Sequence, residues 1–399
     1  MKKIILSEKL PILLWLDEIE EEALNQAKNL ANLPFAFRHI AIMPDSHVGY
    51  GMPIGGVLAT KNVVIPNAVG VDIGCGMCAM ETNLTEISKE KLKQIMSLIR
   101  EKIPVGFNHH KEKQDEKFVP ILSENVIRTN NQPSIIESQK EAILYQIGTL
   151  GGGNHFLEIQ KGKNTNHIWI MIHSGSRNLG KKVADYYNRK AIELNTKWYN
   201  CIHAKTNLAF LPLDSEIGKS YLFEMQYCID FAFANRKLMM QRIKESFQEI
   251  IPETSIIEKN GDEFINIAHN YARIENHFKH NVMVHRKGAT SAKKDEIGII
   301  PGSQGTKSYI VKGLGNRESF MSCSHGAGRK LGRNQARREL NLEEEIKKMN
   351  EKGIIHGIRN QKDLDEAAGA YKDIDQVMEN QKDLVSIVEE LTPLAVIKG

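Results

Sequence analysis

Residues 69–80 read VGVDIGCGMCAM, glycine-rich in the first half and apolar in the second. That order suits a turn that runs into a buried strand, and it brings Asp72, Cys75 and Cys78 close together. The surrounding chain repeats the pattern. Upstream, RHIAIM (38–43), GVLAT (56–60) and NVVIP (62–66) are short strand-like runs with glycine-rich connections. Downstream, ISKEKLKQIMSLIRE (87–101) has helical periodicity, while NHFLEIQ (154–160) and HIWIMI (167–172) read as buried strands. Between 180 and 250 apolar residues recur at three and four spacing, which predicts a helical insertion projecting from the strand core. Strand signals return at EFINIAH (263–269), NVMVHRK (281–287), EIGII (296–300) and KSYIVKG (307–313), ahead of a charged helix expected near 330–352. With no repeat or proline-rich linker, the expected fold class is α+β, one mixed unit interrupted by helices.

The chain has 399 residues, 41% apolar and 26% charged, which excludes disordered and fibrous classes. No apolar run approaches the roughly 20 residues that span a bilayer, so no membrane role and a cytoplasmic location are expected. Five cysteines spread from 75 to 323, an odd number, point to reduced thiols rather than a disulfide framework. A net charge of +4 says little about partners. Its distribution says more. Residues 279–294 and GRKLGRNQARR (328–338) each hold five Lys or Arg and no acid, which fits a polyanion or a solvated helix face.

His155, His173, His269 and His325 each stand at the end of an apolar run beside glycines or amides. A lone histidine so placed is more often a hydrogen-bonded core residue, but four at strand-to-glycine junctions favour a site. With Asp72 and Cys75 the donor set becomes carboxylate, thiolate and imidazole, which suits zinc or manganese better than calcium or magnesium. A structural zinc clip would want a second close cysteine pair, yet Cys201, Cys228 and Cys323 are isolated. A redox dithiol would open a helix, which this stretch does not. IIPGSQGTKSYIVKG (299–313) can present backbone N–H groups and hydroxyls to phosphate, though its spacing is not that of a Walker loop and a tight hairpin is equally compatible. In SHGAGRKLGRNQARR (324–338), Arg329, Arg333 and Arg337 would share one helix face behind His325. That places them to meet phosphate, with a solvated face as the plainer alternative.

Taken together these segments resemble the RtcB family of GTP-dependent RNA ligases. The matching motifs are MPDSHVGYG (43–51), VGVDIGCGM (69–77), GTLGGGNHFLEI (148–159), HSGSRNLG (173–180), HNYA (269–272), RKGA (286–289), IIPGSQGTKSYIVKG, SHGAGR (324–329), YKDIDQVM (371–378) and the terminal VIKG. The resemblance implies a single catalytic domain over 1–399, with the helical insertion of 180–250 inside it. It implies two manganese ions, with Asp72 and Cys75 as ligands, the Cys75 thiolate bridging, His155 on one ion, and His173 and His269 on the other. His325 would be the nucleophile that takes GMP from GTP. Asn154, His155, Phe156, Glu158, His269, Asn270, Pro301, Gly302, Ser303, Gln304, Ser308, His325, Gly326, Ala327, Gly328, Tyr371 and Lys398 would bind the nucleotide. The implied reaction joins an RNA 3′-phosphate or 2′,3′-cyclic phosphate to a 5′-hydroxyl through histidine–GMP and RNA-ppG intermediates.

Cleaved tRNA or other broken RNA ends are the implied partners, the protein acting as a monomer with room for an activating partner. Gln304 stands where the family commonly has Met, and Ala368 where it has Pro, so nucleotide affinity and one loop's rigidity are where this chain departs. Two rival readings remain: a metal-dependent phosphoesterase that opens cyclic phosphates without ligating, and a non-catalytic RNA-binding protein. Cys78 is expected to be a packing residue.

Overall fold

The computed structural model describes residues 1–122, 134–198, 202, 204–258 and 261–399; Cys201 lies outside them. The architecture is α+β, as expected. One six-stranded sheet runs in the order Lys3–Ile5, Ile12–Leu14, Ala36–Tyr50, Met52–Thr60, His280–Lys287, Asn270–His277. A second, eight-stranded sheet runs Ile256–Ile257, Gly76–Thr82, Ile168–Ser174, Phe156–Gly162, Val385–Lys398, Ser308–Gly313, Ile297–Ile300, with Ile265–Ala268 also paired to Gly76–Thr82.

The central strands Gly76–Thr82 and Ile168–Ser174 of the second sheet are buried on both faces, which explains why they read as continuous apolar runs rather than alternating ones. On one face Cys78, Met80, Leu157, Ile159, Ile170 and Ile172 pack against Leu92, Ile95, Ile99, Met239 and Ile243 of two helices. On the other, Met77, Ala79, Trp169 and Met171 meet Ile299, Ile310 and Leu391. The first of those helices, Lys89–Lys102, starts where Ser88 caps it by accepting a hydrogen bond from the Lys91 N–H.

The second, Glu216–Ile250, does not project from the core as the insertion was expected to. Phe231, Asn235, Arg236 and Phe247 along it are fully buried. The Arg236 Nη1 donates to the carbonyls of Gly74 (3.0 Å) and Ser174 (2.8 Å), and Asn235 Oδ1 accepts from Gly148 N (2.7 Å) and Thr149 N (3.1 Å). The helix is therefore a brace behind the glycine-rich turns. Periodicity detected its apolar residues, but it could not reveal that the polar ones between them also point inward.

Two further expectations change. The charged helix near 330–352 is two helices, Arg333–Glu339 and Leu342–Glu351, broken at extended Leu340 and restarted by Asn341, which caps Glu343 N and Glu344 N. The basic stretch 279–294 is only partly open: Lys279, Lys293 and Lys294 are exposed, but its two central cations are buried. Arg286 is buried in a forked pair with Glu275 (2.7 and 3.0 Å), and the Lys287 Nζ donates inward to Tyr50 O (2.6 Å) and Asn67 O (2.9 Å). Among the described residues no helix is long and apolar enough to cross a membrane.

Candidate metal and nucleotide centre

Strand register assembles the centre. Gly76 lies opposite both Ser174 and Ala268, and Phe156 lies opposite His173, so Cys75, His155, His173 and His269 converge at the same end of adjacent strands. The approach is close: a Cβ on Gly76 would sit 1.9 Å from the Ile267 carbonyl oxygen. The turn itself is fixed by Cys75 N to Asp72 O (3.1 Å), Gly74 N to Asn270 O (2.9 Å) and His269 N to Cys75 O (2.8 Å).

Cys75 Sγ lies 3.2 Å from His173 Nε2 and 3.4 Å from His155 Nε2, which is in turn 3.2 Å from Asp72 Oδ2. Potential ligand atoms of Cys75, His155 and His173 all lie within 4.8 Å of one another. Ring centroids continue the line from His155 to His173 (5.3 Å), to His269 (5.1 Å) and to His325 (4.8 Å).

The donor chemistry fits a divalent ion. Burial drives His173 and His269 well below the ordinary imidazole range, so they are neutral lone-pair donors. Burial, reinforced by the Asp72 charge, pushes the Cys75 thiol well up, and a cation seated against its sulfur is what reverses that preference. The Nδ1 atoms of His155 and His269 are buried with no hydrogen-bond partner. Cys78 is turned to the opposite side of the strand, fully buried among apolar side chains, with burial alone raising its thiol. It takes no part in the cage.

His325 is held differently. Its Nδ1 lies 2.6 Å from Asp45 Oδ2, and its backbone N–H donates to the same oxygen (3.0 Å). A carboxylate can only accept, so Nδ1 carries a proton, and in the neutral imidazole Nε2 is the nitrogen left with a lone pair for the cleft. Gly328 lets the chain close over Asp45: at φ +74°, a Cβ there would lie 2.0 Å from the Asp45 carbonyl oxygen. The Lys372 Nζ donates to the carbonyls of Pro44 and Ser46 on either side of Asp45.

One cavity of about 580 Å³ joins these halves. Asp72, Cys75, His173, His269 and His325 line it together with Asn154, Phe156, Asn270, Pro301 to Gln304, Gly326 to Gly328, Tyr371 and Lys398. Glu158, His155 and Ser308 are not on its lining. Glu158 and Ser308 stand behind the wall, linked through the Gln160 amide to Glu158 Oε2 (2.6 Å) and Ser308 Oγ (3.1 Å). Burial raises Glu158 to about 8 against the pull of Lys398, which burial lowers in turn. Register puts Lys398 opposite Phe156, with the ammonium 5.7 Å from the ring centroid. Gln304 is buried in the wall and its amide donates to Glu366 O (3.0 Å). Ala368 opens a single 3₁₀ turn, Ala368–Ala370, that leads into Tyr371.

The expected arginines do not form one helix face, although Arg329 and Arg333 line the cavity with His325. Arg329 precedes the helix capped by Gly332, and the three arginines turn inward to one segment: Arg329 to Glu366 (3.0 Å) and Asp365 O (2.6 Å), Arg333 to Glu366 (2.8 Å), Arg337 to Asp365 (2.7 Å). The sequence reading also missed Asp45, Glu366 and Arg177. Asp45 lies inside a quoted motif, with an acid beside a histidine as its signal. Arg177 adopts φ 51°, and its Nε donates to Thr149 Oγ1 (2.9 Å).

The fold and site define a class: a mixed α and β protein with a buried cysteine and histidine cage opening onto a cavity of about 580 Å³ that ends at a tethered histidine. The profile of the family described as "tRNA-splicing ligase RtcB" matches residues 26–399. The chain is 36% identical over 418 residues to "RNA-splicing ligase RtcB" of Escherichia coli (strain K12), covering 100% of this chain and 99% of that protein. It is 32% identical to "tRNA-splicing ligase RtcB" of Thermococcus kodakarensis and 34% identical to that of Nanoarchaeum equitans, in each case over 95% of this chain and 92% of the relative. The chain belongs to the RtcB family.

Proposed function

We propose that this chain is an RNA ligase joining an RNA 3′-phosphate or 2′,3′-cyclic phosphate end to a 5′-hydroxyl end, with GTP and two manganese ions. One observation carries the reading: His325, its Nδ1 tied to Asp45, shares a single cleft with Cys75, His173 and His269. The printed names of the relatives, RNA-splicing and tRNA-splicing ligase, support RNA ends as the substrate class.

The unprotonated Nε2 of His325 attacks the α-phosphorus of GTP, a nitrogen–phosphorus bond forms and the bond to pyrophosphate breaks. Asp45 holds the imidazole in the required tautomer and stabilises the positive charge that develops on it. Asp72, Cys75, His155, His173 and His269 would hold the ions, which when bound neutralise the triphosphate and stabilise the departing pyrophosphate. His325 then passes GMP to the RNA 3′-phosphate, giving RNA-ppG, and the 5′-hydroxyl displaces GMP to seal the strand. A cyclic phosphate is opened by hydrolysis beforehand. Each step is an in-line displacement at phosphorus, so one rigid cage serves them all. Phe156, Lys398, Pro301 to Gln304 and Tyr371 form the guanylate seat, Glu158 and Ser308 supporting it from behind.

The test is incubation of the full chain with labelled GTP and manganese. The expected product is an acid-labile, base-stable protein adduct mapping to His325, absent in His325→Ala and reduced by about 10²–10⁴-fold in Asp45→Asn, as loss of a positioned proton partner costs elsewhere. No adduct in the unmodified chain, with cyclic phosphate still opened by His325→Ala, would establish the phosphoesterase instead.

A further inference from the structure

Phe107 presents 97% of its surface to solvent, more than any other exposed large apolar residue among those described. Single exposed apolar side chains are ordinary. This one differs in how its loop is held and in what the loop touches. Val105 forms a parallel bridge with Gly151, Gly106 N donates to Gly151 O (3.0 Å) and Asn108 N donates to Val105 O (3.3 Å). The Arg177 Nη2 donates to Gly106 O (3.3 Å), and the charge of the same guanidinium is felt by Asp72 and Cys75. Gly151 opens the glycine turn that brings Asn154 to the cavity and His155 to the Cys75 sulfur behind it. The loop is thus an outer wall of the metal cage, and its phenyl ring is presented on fixed backbone rather than on a loose tail.

Exposed Asn108, His109 and Lys111 follow directly, supplying hydrogen-bonding and cationic groups beside the ring. An uncovered aromatic on a hydrogen-bonded loop, with polar and cationic neighbours, is what single-stranded nucleic acid recognition uses, because every base offers a flat face whatever its sequence. Paired bases inside a duplex offer no such face. We propose that Phe107 is a stacking platform for a base of single-stranded RNA close to the end that is being joined. The substrate rests on the ligase reading above, whereas the platform rests on this loop.

The experiment measures anisotropy of labelled single-stranded RNA, one oligonucleotide ending in 3′-phosphate and one in 5′-hydroxyl, with the full chain. Phe107→Ala should weaken binding of at least one strand by about tenfold, the usual worth of one stacked base, and Phe107→Trp should retain it. Abasic sites next to the end of that strand should erase the difference between the two proteins. Thermal midpoint and bound metal should match the unmodified chain, since the ring packs on nothing. Equal binding of both strands by Phe107→Ala overturns the proposal, and so does an equal loss on abasic RNA. A changed oligomeric state with unchanged RNA binding assigns the ring to a protein contact and also overturns it. Absence of a GMP adduct refutes the ligase reading while leaving this binding comparison intact.

Discussion

The two halves of the cavity are held by different forces. Cys75, His155, His173 and His269 hang from the ends of neighbouring strands whose pairing is set by backbone hydrogen bonds. The nucleotide half is built on the loops around 301–307, 326–329 and 361–371, where positions are set by side-chain charge: Arg329 and Arg333 on Glu366, the Tyr371 hydroxyl on the same carboxylate, the Gln304 amide on the Glu366 carbonyl. A ladder spreads its strength over many bonds, so apart from the bracing Asn235 and Arg236 no single side chain outside the cage should move the metal residues. A charge cluster concentrates its strength, so one substitution should loosen the whole nucleotide seat.

The sharpest way to break the metal half is from inside. Cys75→Ala removes the sulfur nearest to two imidazoles and should cut bound manganese and ligation by more than about 100-fold, since losing even a partner of a ligand costs about 10–100-fold. Cys78→Ala, three residues on, should keep both metal and activity, and should cost on the order of 1 kcal/mol of stability from a small cavity. Elemental analysis and denaturant unfolding of the two variants check this. Equal dependence of metal content on both cysteines would contradict the opposite orientations of their side chains.

Legibility in the sequence follows the same division. The metal-site histidines could be read because each stands at the end of an apolar run beside a glycine or an amide, and strand pairing is a local consequence of such runs. Asp45 could not be paired with His325, because the link spans 280 positions and depends on how a loop meets the strand Ala36–Tyr50. The placing of Arg329, Arg333 and Arg337 on one helix face failed for a definite reason. Helical spacing was extended back to 329, whereas the helix starts at Arg333, and their acidic partners lie in the 3₁₀ helix Gln361–Glu366, which has no periodicity to detect. Arg286 likewise gave no sign of being buried, since its partner Glu275 sits on the neighbouring strand.

On the nucleotide half, Glu366→Gln tests whether charge is the fastener. The substitution keeps the shape but leaves Arg329, only 15% exposed, without its anion, while Arg333, 49% exposed, is compensated by water. Removing one partner of a fully buried pair costs about 3–5 kcal/mol, and the partial exposure reduces that to roughly 2. KM for GTP in adduct formation should rise by on the order of tenfold or more while bound manganese is unchanged. If metal content falls in parallel, the two halves are not held independently.

The smallest effect separates the halves by pH. Burial raises Glu158 to about 8, against the ordinary carboxyl near 4.3. A group whose folded value is raised binds its proton more tightly in the native state, so its contribution is fully present below about pH 4 and is lost as pH rises through 8. The unliganded chain should therefore lose thermal midpoint between pH 5 and 8, by on the order of a few degrees, relative to Glu158→Gln, which stays neutral throughout. Lys398 opposes this trend, because its lowered value favours the native state as pH rises. Comparing each protein with its own midpoint at pH 5 reads Glu158 together with its effect on Lys398, because the two charges act on each other. GTP with manganese should flatten the difference if the wall behind Phe156 carries its charge only against a bound base. A pH profile identical in the two proteins would mean that Glu158 is ionised in the empty cavity and that Lys398 outweighs burial.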